Sequence, residues 1–379
     1  MATSAIGPGF LTQTAVFTQD LLTSFGFVIL ISLLIDIGAQ VNIWSIIAVS
    51  RRRAQDIANL LFPGLGYFLA SLVAFGGLVF NIGNIAGCGL GLNALTGIPV
   101  PVGAIISCVI ALGIFWYRNA GKLLDHVARL LGLIMIGLTL YIAFSSHPPV
   151  GEALLHSLWP ERIDALKIVT LVGGTVGGYI TFSGAHRLLD AGISGREALP
   201  AVKRSAVTGI VITTFMRYIL FLAALGVVWG GVQLDSANPA GSVFQHAAGN
   251  IGYRFFGLVM WSAAITSVAG ASFTSVSFLK TLSASIRQHE RWFVSCFIIL
   301  STVIFMWIGN PVLLLIVAGA LNGLILPVAL AVILVAAHKI EITAGYRHPV
   351  WMEVAGWVVV IVMSWMGGLL LIDGWKKII

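Results

Sequence analysis

Long apolar stretches follow one another through this chain, and they constrain its fold more than any other feature. A transmembrane helix needs about 20 consecutive apolar residues, and eleven stretches of the sequence meet that need. Only 9% of the 379 residues are charged, whereas an average soluble domain has about 25%. We therefore predict an all-α polytopic membrane protein. The spans are predicted at residues 5–24, 25–49, 64–97, 99–117, 121–146, 168–194, 203–230, 253–284, 292–309, 312–337 and 350–373.

The lysines and arginines between these stretches predict the orientation of the chain. Cytoplasmic loops are enriched in Lys and Arg. Thirteen of these residues lie on the side of the N-terminus and five on the other side, which predicts a cytoplasmic N-terminus and an external C-terminus in a bacterial inner (plasma) membrane. The net charge of +7 follows from the same bias and does not indicate nucleic-acid binding. The inside group is Arg51, Arg52, Arg53, Arg118, Lys122, Arg196, Lys203, Arg204, Lys280, Arg287, Arg291, Lys339 and Arg347, and the outside group is Arg162, Lys167, Arg254, Lys376 and Lys377.

Ten of the predicted spans divide into two groups of five, and each group opens with an interrupted helix. A five-helix unit that is repeated in series runs in opposite directions, which predicts an inverted repeat. We predict one transmembrane domain over residues 1–379, with one repeat at about 5–146, a second at about 168–337 and an extra helix at about 350–373. Paired interrupted helices indicate a transporter, because substrates bind at such interruptions.

The first interrupted helix carries polar residues inside an apolar span, and two interpretations of them stay open. In one, they form a solvated helix end with Asp20 as an N-cap. In the other, they form a substrate site near the middle of the membrane. These candidate substrate-binding residues are Gln13, Thr14, Thr18, Gln19 and Asp20.

The second interrupted helix lies in the stretch LVGGTVGGYITFSGAHRLLDAGI, from Leu171 to Ile193. A glycine-interrupted helix at membrane depth is tolerated where it lines a cavity, and we predict the break near Ser183 to Ala185. The half-helix that follows would present free N–H groups and a positive dipole end to an anion or a carboxylate. The candidate substrate-binding residues here are Thr181, Ser183, Gly184 and Ala185.

Ionisable and amide side chains near these breaks are candidates for coupling or gating. His186 can change charge near neutral pH. Arg187 can bind a carboxylate through two hydrogen bonds, or it can pair with Asp190, three residues further along the same helix. Buried amides in a membrane commonly bond to a neighbouring helix instead. The candidates for coupling or gating are Asp20, Asn81, Asn84, His186 and Arg187.

Other residues inside the predicted spans indicate packing or unassigned function. Asp36 and Arg217 are charges at membrane depth, and the sequence does not identify their partners. Each is a functional hypothesis by default, and a structural role, in which they pair with each other or with the backbone, is the equal alternative. Gly83, Gly87 and Gly91 recur every four residues, which predicts close approach of another helix. The three cysteines have no paired spacing, so neither a disulfide nor a zinc site is predicted.

Four segments resemble one family of transporters. Ile6 to Leu11, IGPGFL, resembles the start of the first helix in the natural resistance-associated macrophage protein (NRAMP) family of divalent-metal transporters. Phe25 to Phe27 resembles the start of their second helix, Asn81 to Gly97 resembles their third, and Leu324 to Pro327 resembles a turn in their tenth. The resemblance covers most of the chain. It implies a LeuT-type fold with a 5+5 inverted repeat, broken helices 1 and 6 and about eleven transmembrane helices.

The residues that carry metal transport in this family are not matched here. The family has an Asp-Pro-Gly-Asn motif in the first helix, a Met-Pro-His run in the sixth, two acids on the third and a glutamine in the tenth. Aligned from Gly7, the Asp and Asn of the first motif fall on Thr18 and Leu21. The Met-Pro-His run falls on Phe182-Ser183-Gly184, the two acids on Asn81 and Asn84, and the glutamine on Ile325. No thioether remains to select a transition metal. The resemblance implies that the scaffold is kept while the metal site and the proton route are lost.

These features favour a secondary transporter that moves a small organic solute, a carboxylate or an amino-acid-like molecule, by alternating access. Relatives of this type resemble transporters found alongside 5-oxoproline metabolism, which makes 5-oxoproline a candidate. The alternative is a divalent-cation transporter with a hydrated, hard-ligand site for Mg²⁺ or Mn²⁺, to which Asp20 and Thr18 would contribute. The scattered histidines do not predict an enzyme, and no cofactor is expected. The expected partners are a small molecule or ion and the lipid bilayer, without nucleic acid.

Overall fold

The computed structural model describes the backbone of residues 7–117 and 120–376 and the side chains of residues 7–117 and 130–372. Helices are the regular secondary structure of these ranges. They are α1 (Pro8–Leu21), α2 (Phe25–Ser50), α3 (Ala54–Leu61), α4 (Leu65–Thr96), α5 (Val100–Trp116), α6 (Ala120–Ser145), α7 (Val150–Leu158), α8 (Ala165–Thr175), α9 (Gly178–Asp190), α10 (Leu199–Trp229), α11 (Pro239–Leu279), α12 (Ala284–Gln288), α13 (Glu290–Ile308), α14 (Pro311–Ala337), α15 (Ile340–Thr343) and α16 (Val350–Lys376).

Each predicted span corresponds to one helix or to a pair of helices. Eight stretches of the described residues are long and apolar enough to cross a membrane, and the first of them contains both α1 and α2. A ninth arises if α6 and α7 count as one span that bends by 104°. The helix α5 is apolar but shorter, with 17 residues. The prediction of an all-α polytopic membrane protein is confirmed.

The helix α1 begins at the middle of the bundle and runs without interruption. Pro8 occupies its first turn, where a missing N–H group costs nothing, and the helix ends where Leu22 takes a left-handed φ of 51°. Residues 13–20, where the sequence suggested an interruption, are regular helix. The helix begins at Pro8 because Gly7 is extended, with φ −100° and ψ 178°.

The second discontinuity lies between α8 and α9, about two turns before the predicted position. The chain leaves helical geometry at Gly177, which has φ 8° and ψ 168°. The predicted break at Ser183 to Ala185 is wrong, because those residues lie inside α9. A single glycine at 184 is tolerated within a helix, whereas the run from Gly173 to Gly178 contains four glycines and the β-branched Thr175 and Val176, all poor helix formers.

The bundle has two distinguishable ends. We call the end where α2 finishes and α10 begins the basic end, since it carries Arg51, Arg53 and Arg196. The other end, called the opposite end, carries the end of α1 and the start of α8, joined by Asp20 and Lys167. Four residues that contributed to the predicted orientation, Arg118, Lys122, Lys376 and Lys377, lie outside the described side chains. The orientation stays a prediction.

The glycine face of α4 is a packing surface. A Cβ atom on Gly91 would lie 2.6 Å from the backbone N of Trp261 in α11, and one on Gly83 would lie 3.3 Å from the Leu315 side chain in α14. Such close approach lets backbones pack without intervening side chains, which stabilises helix pairs in lipid. This agrees with the packing predicted from the spacing of these glycines.

Replacing Gly91 with leucine is expected to remove most of the folded protein. No side chain fits between α4 and the backbone at Trp261, and overpacking of this kind costs about 1–3 kcal/mol or more. The measurement is the monodisperse fraction and the melting temperature in detergent. Gly113→Leu is the matched control, because a Cβ there meets no atom within 4 Å. Equal stability of the two variants would contradict the packing role.

Candidate functional site

A cavity of about 950 Å³ lies where α1 begins and where α8 gives way to α9. It extends from there toward the basic end, between α5, α9 and α11. The start of α1 and the break between α8 and α9 therefore open onto one space. The residues of its inner part that matter below are Gly7, Gly9, Phe10, Gln13, Asn84, Gly174, Thr175, Tyr179 and Ser183.

Gln13 is the polar side chain of α1 that reaches the cavity. Its Nε2 atom donates a hydrogen bond of 2.9 Å to the carbonyl oxygen of Leu315, and its Oε1 atom has no partner within the described residues. The side chain is only 1% exposed. A buried acceptor without a partner carries a desolvation penalty, so this oxygen is available to a bound solute.

Two further groups present polar atoms to the same space. The Nδ2 donor of Asn84 is buried and has no partner in the described part of the chain. Tyr179, in the first turn of α9, lines the cavity and donates its hydroxyl to the carbonyl oxygen of Ala271 at 3.1 Å. The inner cavity thus combines an amide oxygen, an amide donor and an aromatic ring.

The α8–α9 break is held by Asn322, which does not line the cavity. Its Oδ1 atom accepts from the backbone N–H of Tyr179 at 3.2 Å, and its Nδ2 atom donates to the carbonyl oxygens of Gly76 and Ala318, each at 3.0 Å. One amide therefore joins α4, α9 and α14. Sequence reasoning missed Asn322 and Tyr179; a signal for Asn322 existed, namely an amide inside the otherwise apolar α14.

The one charge on the described cavity lining is positive and belongs to an exposed side chain. Arg187 is the one charged side chain among the described residues that line it, and these residues include no Asp, Glu, His, Cys or Met. Within the described part of the chain, no group of three His, Cys, Asp or Glu residues is placed to hold a metal ion. Arg187 does not pair with Asp190, whose carboxylate binds Arg53 at 2.8 Å.

The remaining candidates of α1 lie away from the cavity. Asp20 is exposed at the opposite end and pairs with Lys167 at 3.2 Å, which also binds Asp164 at 2.8 Å. Gln19 is exposed and accepts from the backbone of Leu234. The hydroxyls of Thr14 and Thr18 donate to carbonyl oxygens one turn earlier in their own helix, Phe10 and Thr14. Of the five polar residues, the structure brings only Gln13 to the cavity.

The candidates of α9 divide between the cavity and the protein core. Ser183, Gly184 and Arg187 line the cavity, whereas Thr181 and Ala185 do not. The Thr181 hydroxyl donates to the carbonyl of Val176 across the break. His186 also faces away, because its Nε2 atom accepts from the backbone N–H of Ala54 at 3.1 Å and its ring stacks on Phe278 at 4.5 Å between centroids.

The two amides of α4 have different surroundings. Asn81 donates to the hydroxyls of Ser272 and Ser301, each at 3.0 Å, and so joins α4 to α11 and α13. This is the interhelical bonding expected of a buried amide. Asn84, one turn on, lines the cavity.

The two glutamines of α1 offer a matched test of this arrangement. Gln13→Ala is expected to weaken substrate binding by about tenfold to hundredfold, because an unpaired buried partner is worth about 1–3 kcal/mol. Gln19→Ala is expected to change it by less than about twofold, as for most surface substitutions. The comparison is made by isothermal titration of the two purified variants with the candidate solute, 5-oxoproline. Equal losses would place the bound solute elsewhere.

Membrane-crossing helices that surround one cavity at two helix discontinuities define the class of membrane transporters with broken helices. The sequence family described as "Natural resistance-associated macrophage protein-like" matches residues 1–373. This protein therefore belongs to the NRAMP-like family of transporters. Among its relatives, the membrane protein YcsG of Bacillus subtilis is 59% identical over 97% of this chain and 91% of its own, and a Haemophilus influenzae membrane protein is 58% identical over 97% and 93%.

Solved structures confirm the fold class. The manganese transporter of Eremococcus coleocola superposes with a TM-score of 0.72 at 14% identity, covering 97% of this chain and 83% of its own. The transporter MhsT, solved with L-phenylalanine, gives 0.63 at 16% identity over 98% and 96%. The predicted LeuT-type fold is confirmed, and the sixth predicted span is broken between α8 and α9. The repeat boundaries stay predictions.

Proposed function

We propose that this protein is a secondary transporter of a small organic solute that carries a carboxylate. The observation that carries the proposal is the chemistry of the cavity, where Arg187 is the one charged side chain among the described lining residues. A divalent cation would meet a positive charge there without any carboxylate or thioether to bind it. A carboxylate would meet a cation and uncharged hydrogen-bonding groups.

Two helix N-termini at the cavity support the same substrate class. Gly7 and Pro8 begin α1 and Gly178 begins α9, and Gly7 and Tyr179 line the cavity. The first N–H groups of a helix have no partner within it, and its dipole is positive at that end. In α9 the N–H of Tyr179 is already bound to Asn322, so the start of α1 is the stronger of the two supports. Half-helix N-termini in transporters of this architecture bind anionic groups of substrates.

The position of the discontinuities also revises the comparison with the family's metal motif. Pro8-Gly9 begins α1 at the cavity, and if it is matched to the Pro-Gly of the Asp-Pro-Gly-Asn motif, the flanking residues of that motif fall on Gly7 and Phe10 instead of on Thr18 and Leu21. The run at the α8–α9 break, from Thr175 to Gly178, contains neither Met nor His. On this alignment too, the metal-ligand residues are replaced by groups that do not bind metal through their side chains.

The size of the cavity is compatible with a small organic solute. Pockets for such molecules have volumes of about 300–1,000 Å³, and this one has about 950 Å³ including its opening toward the basic end. We take 5-oxoproline as the first candidate, because its ring, amide and carboxylate match the aromatic, amide and cationic groups of the cavity. In the predicted orientation the basic end is cytoplasmic, and the cavity would then face inward.

A second candidate function is transport of Mg²⁺ or Mn²⁺. It is favoured by the fold shared with a protein described as a manganese transporter. The available ligands in the cavity would be Gln13 Oε1, the Thr175 hydroxyl and backbone carbonyls, with water completing the shell. Asp20 and Thr18 lie away from the cavity and do not contribute. Because the described lining residues supply no carboxylate, transport of a divalent cation ranks second.

The test is a titration of the purified protein with 5-oxoproline, with its uncharged carboxamide and with Mn²⁺. We expect binding of 5-oxoproline and at least about tenfold weaker binding of the carboxamide, because a hydrogen bond to a charged group is worth about 1.5–3 kcal/mol. We expect no binding of Mn²⁺. Binding of Mn²⁺, with no response to 5-oxoproline or to other small carboxylates, would contradict the proposal.

A further inference from the structure

Arg217 of α10 is a buried cation directly behind the cavity. It is 3% exposed. Its Nη1 atom donates to the hydroxyl of Thr175 at 2.7 Å, and its guanidinium carbon lies 4.4 Å from the centre of the Phe10 ring. Thr175 and Phe10 both line the cavity, the first at the α8–α9 break and the second in the first turn of α1. Arg217 therefore touches both helix discontinuities.

One edge of this guanidinium is unused. The Nε and Nη2 atoms of Arg217 are buried and have no hydrogen-bond partner among the described residues. These two nitrogens form the side of the guanidinium that binds both oxygens of one carboxylate. Burying a cation whose N–H donors have no partner costs free energy unless an anion or another acceptor binds them. The open edge indicates an occupant with two oxygens.

Asp36 of α2 is a buried carboxylate on a helix that packs against α10. It is 1% exposed, which makes it the one buried acid among the described side chains. Its Oδ1 atom has no partner, and no salt bridge within 4.0 Å joins it to Arg217. Asp36 lies on α2 and Arg217 on α10, and these two helices pack against each other.

Tyr218, next to Arg217 on α10, shares a hydrogen bond of 3.0 Å with Ser157, and Tyr179 of α9 donates to Ala271. Lys203 and Arg204 lie in the first two turns of α10, and Glu152 of α7, Asp56 of α3 and Glu341 of α15 are exposed. Further charged or titratable groups on helices packed against α2 have their own partners. These groups and partners are His156 of α7 with Thr23 and Glu161, Lys167 of α8 with Asp20 and Asp164, His186 of α9 with the Ala54 backbone, Asp190 of α9 with Arg53, and Glu353 of α16 with His338. Arg187 of α9 faces the cavity. Among the described residues, none of these groups forms a hydrogen bond or an ion pair with Asp36 or Arg217.

We propose that Arg217 binds the carboxylate of the transported solute and that Asp36 competes for the same guanidinium edge, so that solute binding drives a proton onto Asp36. The inference rests on the proposed function, since it needs a carboxylate substrate. The substrate oxygens accept hydrogen bonds from Nε–H and Nη2–H. Two carboxylates cannot both use one buried cation, so Asp36 takes one proton from water on binding and returns it on release.

Access to Arg217 requires movement of the residues that separate it from the cavity. Phe10 lies in the first turn of α1 and Thr175 is the last residue of α8, positions at which helices lack part of their internal hydrogen bonding. Exposure of the guanidinium edge to the cavity therefore requires a shift of Phe10 or Thr175. Binding at Arg217 would thus be coupled to the start of α1 and the end of α8, two elements that rearrange in alternating access.

The experiment measures 5-oxoproline affinity by isothermal titration between about pH 5 and pH 8, where the substrate carboxyl is ionised. In the wild type, affinity is expected to fall by up to about tenfold per pH unit as pH rises, with one proton taken up per molecule bound. Buffers of different ionisation enthalpy report that proton. Asp36→Asn is expected to bind at least as tightly, with no pH dependence and no proton uptake. Asp56→Asn, at an exposed acid, is the control that keeps the wild-type profile.

Arg217→Lys tests the cation. Lysine keeps the charge but lacks the planar pair of donors, so affinity is expected to fall at least about tenfold. Arg204→Lys, on the exposed side of the same helix, is the matched control with wild-type affinity. Melting temperatures report folding; if Arg217→Lys does not fold, the pH profile of Asp36→Asn decides the proposal alone.

The outcomes separate this inference from the proposed function. Carboxylate binding that is independent of pH in the wild type, or that keeps its pH dependence in Asp36→Asn, overturns the inference and leaves the proposed function standing. Unchanged affinity in Arg217→Lys does the same. Absence of binding by 5-oxoproline and other small carboxylates to the folded wild type overturns both.

Discussion

Gly7→Asp is expected to abolish carboxylate binding and to create binding of Mn²⁺, whereas Gly7→Asn is expected to do neither. Gly7 lines the cavity, a Cβ there meets no atom of the described residues within 4 Å, and its φ of −100° suits any residue. Asp and Asn are equally good N-caps, so the two variants differ in charge and not in helix stability. The aspartate would recreate the Asp-Pro-Gly sequence of the family motif.

The expected size of this effect follows from electrostatics. Two like charges about 5 Å apart at an effective dielectric constant of about 20 repel by about 3 kcal/mol, which corresponds to a loss of carboxylate affinity of about a hundredfold. A carboxylate beside Gln13 Oε1 supplies the hard oxygen ligands that the cavity lacks. Titrations of both variants with 5-oxoproline and Mn²⁺ provide the measurement. Equal losses in Gly7→Asp and Gly7→Asn would mean that size, and not charge, controls the site.

Gly9→Leu is expected to stop transport while the protein stays folded. A Cβ on Gly9 would lie 3.7 Å from Gln13 Nε2 and 3.9 Å from the Leu315 carbonyl oxygen, which are ordinary contacts. The rest of a leucine side chain would extend into the cavity that Gly9 lines. Replacing glycine in a helix stabilises it by about 0.5–1 kcal/mol, so the melting temperature should not fall.

The loss of substrate binding in Gly9→Leu is expected to exceed about a hundredfold, because the solute would have to displace a side chain worth about 2 kcal/mol or more of buried apolar contact. Gly151→Leu is the control, since a Cβ at this exposed glycine of α7 meets no atom within 4 Å. Uptake and melting temperature are measured on both. Normal uptake by a folded Gly9→Leu protein would show that the solute does not pass the start of α1.

Features of the fold that are determined within one stretch of sequence could be predicted. Apolar stretches about 20 residues long define spans because lipid offers no partner to an exposed backbone. The small-residue face at Gly83 and Gly91 was predicted as packing for a similar reason, since its spacing alone places it on one side of a helix. The family resemblance supplied the inverted-repeat fold, which spacing supports but does not identify.

The location of the breaks could not be predicted in the same way. Polarity suggested an interruption within α1, yet the hydroxyls of Thr14 and Thr18 are satisfied by their own helix, so polar residues there are compatible with regular helix. Asp20 suggested a site and instead forms an ion pair with Lys167 at the opposite end. A polar side chain indicates that it needs a partner, but not where that partner lies.

Partners that are distant in sequence account for the rest of the candidate site. Asn322 reaches Tyr179 and Gly76 only because α14 packs against α4 and α9. Arg217 reaches Thr175 for the same kind of reason, since α10 packs beside the first discontinuity and the second. Spacing within one helix carries no information about such contacts, so the sequence could name these residues as unusual without assigning them a neighbour.

The most direct test of the account is uptake into proteoliposomes, with labelled 5-oxoproline and Mn²⁺ measured side by side in vesicles that contain the wild type, Gly9→Leu or no protein. The account predicts saturable uptake of 5-oxoproline by the wild type alone and no uptake of Mn²⁺ above that of empty vesicles. Saturable Mn²⁺ uptake that Gly9→Leu removes, without uptake of 5-oxoproline or of any other small carboxylate, would contradict it.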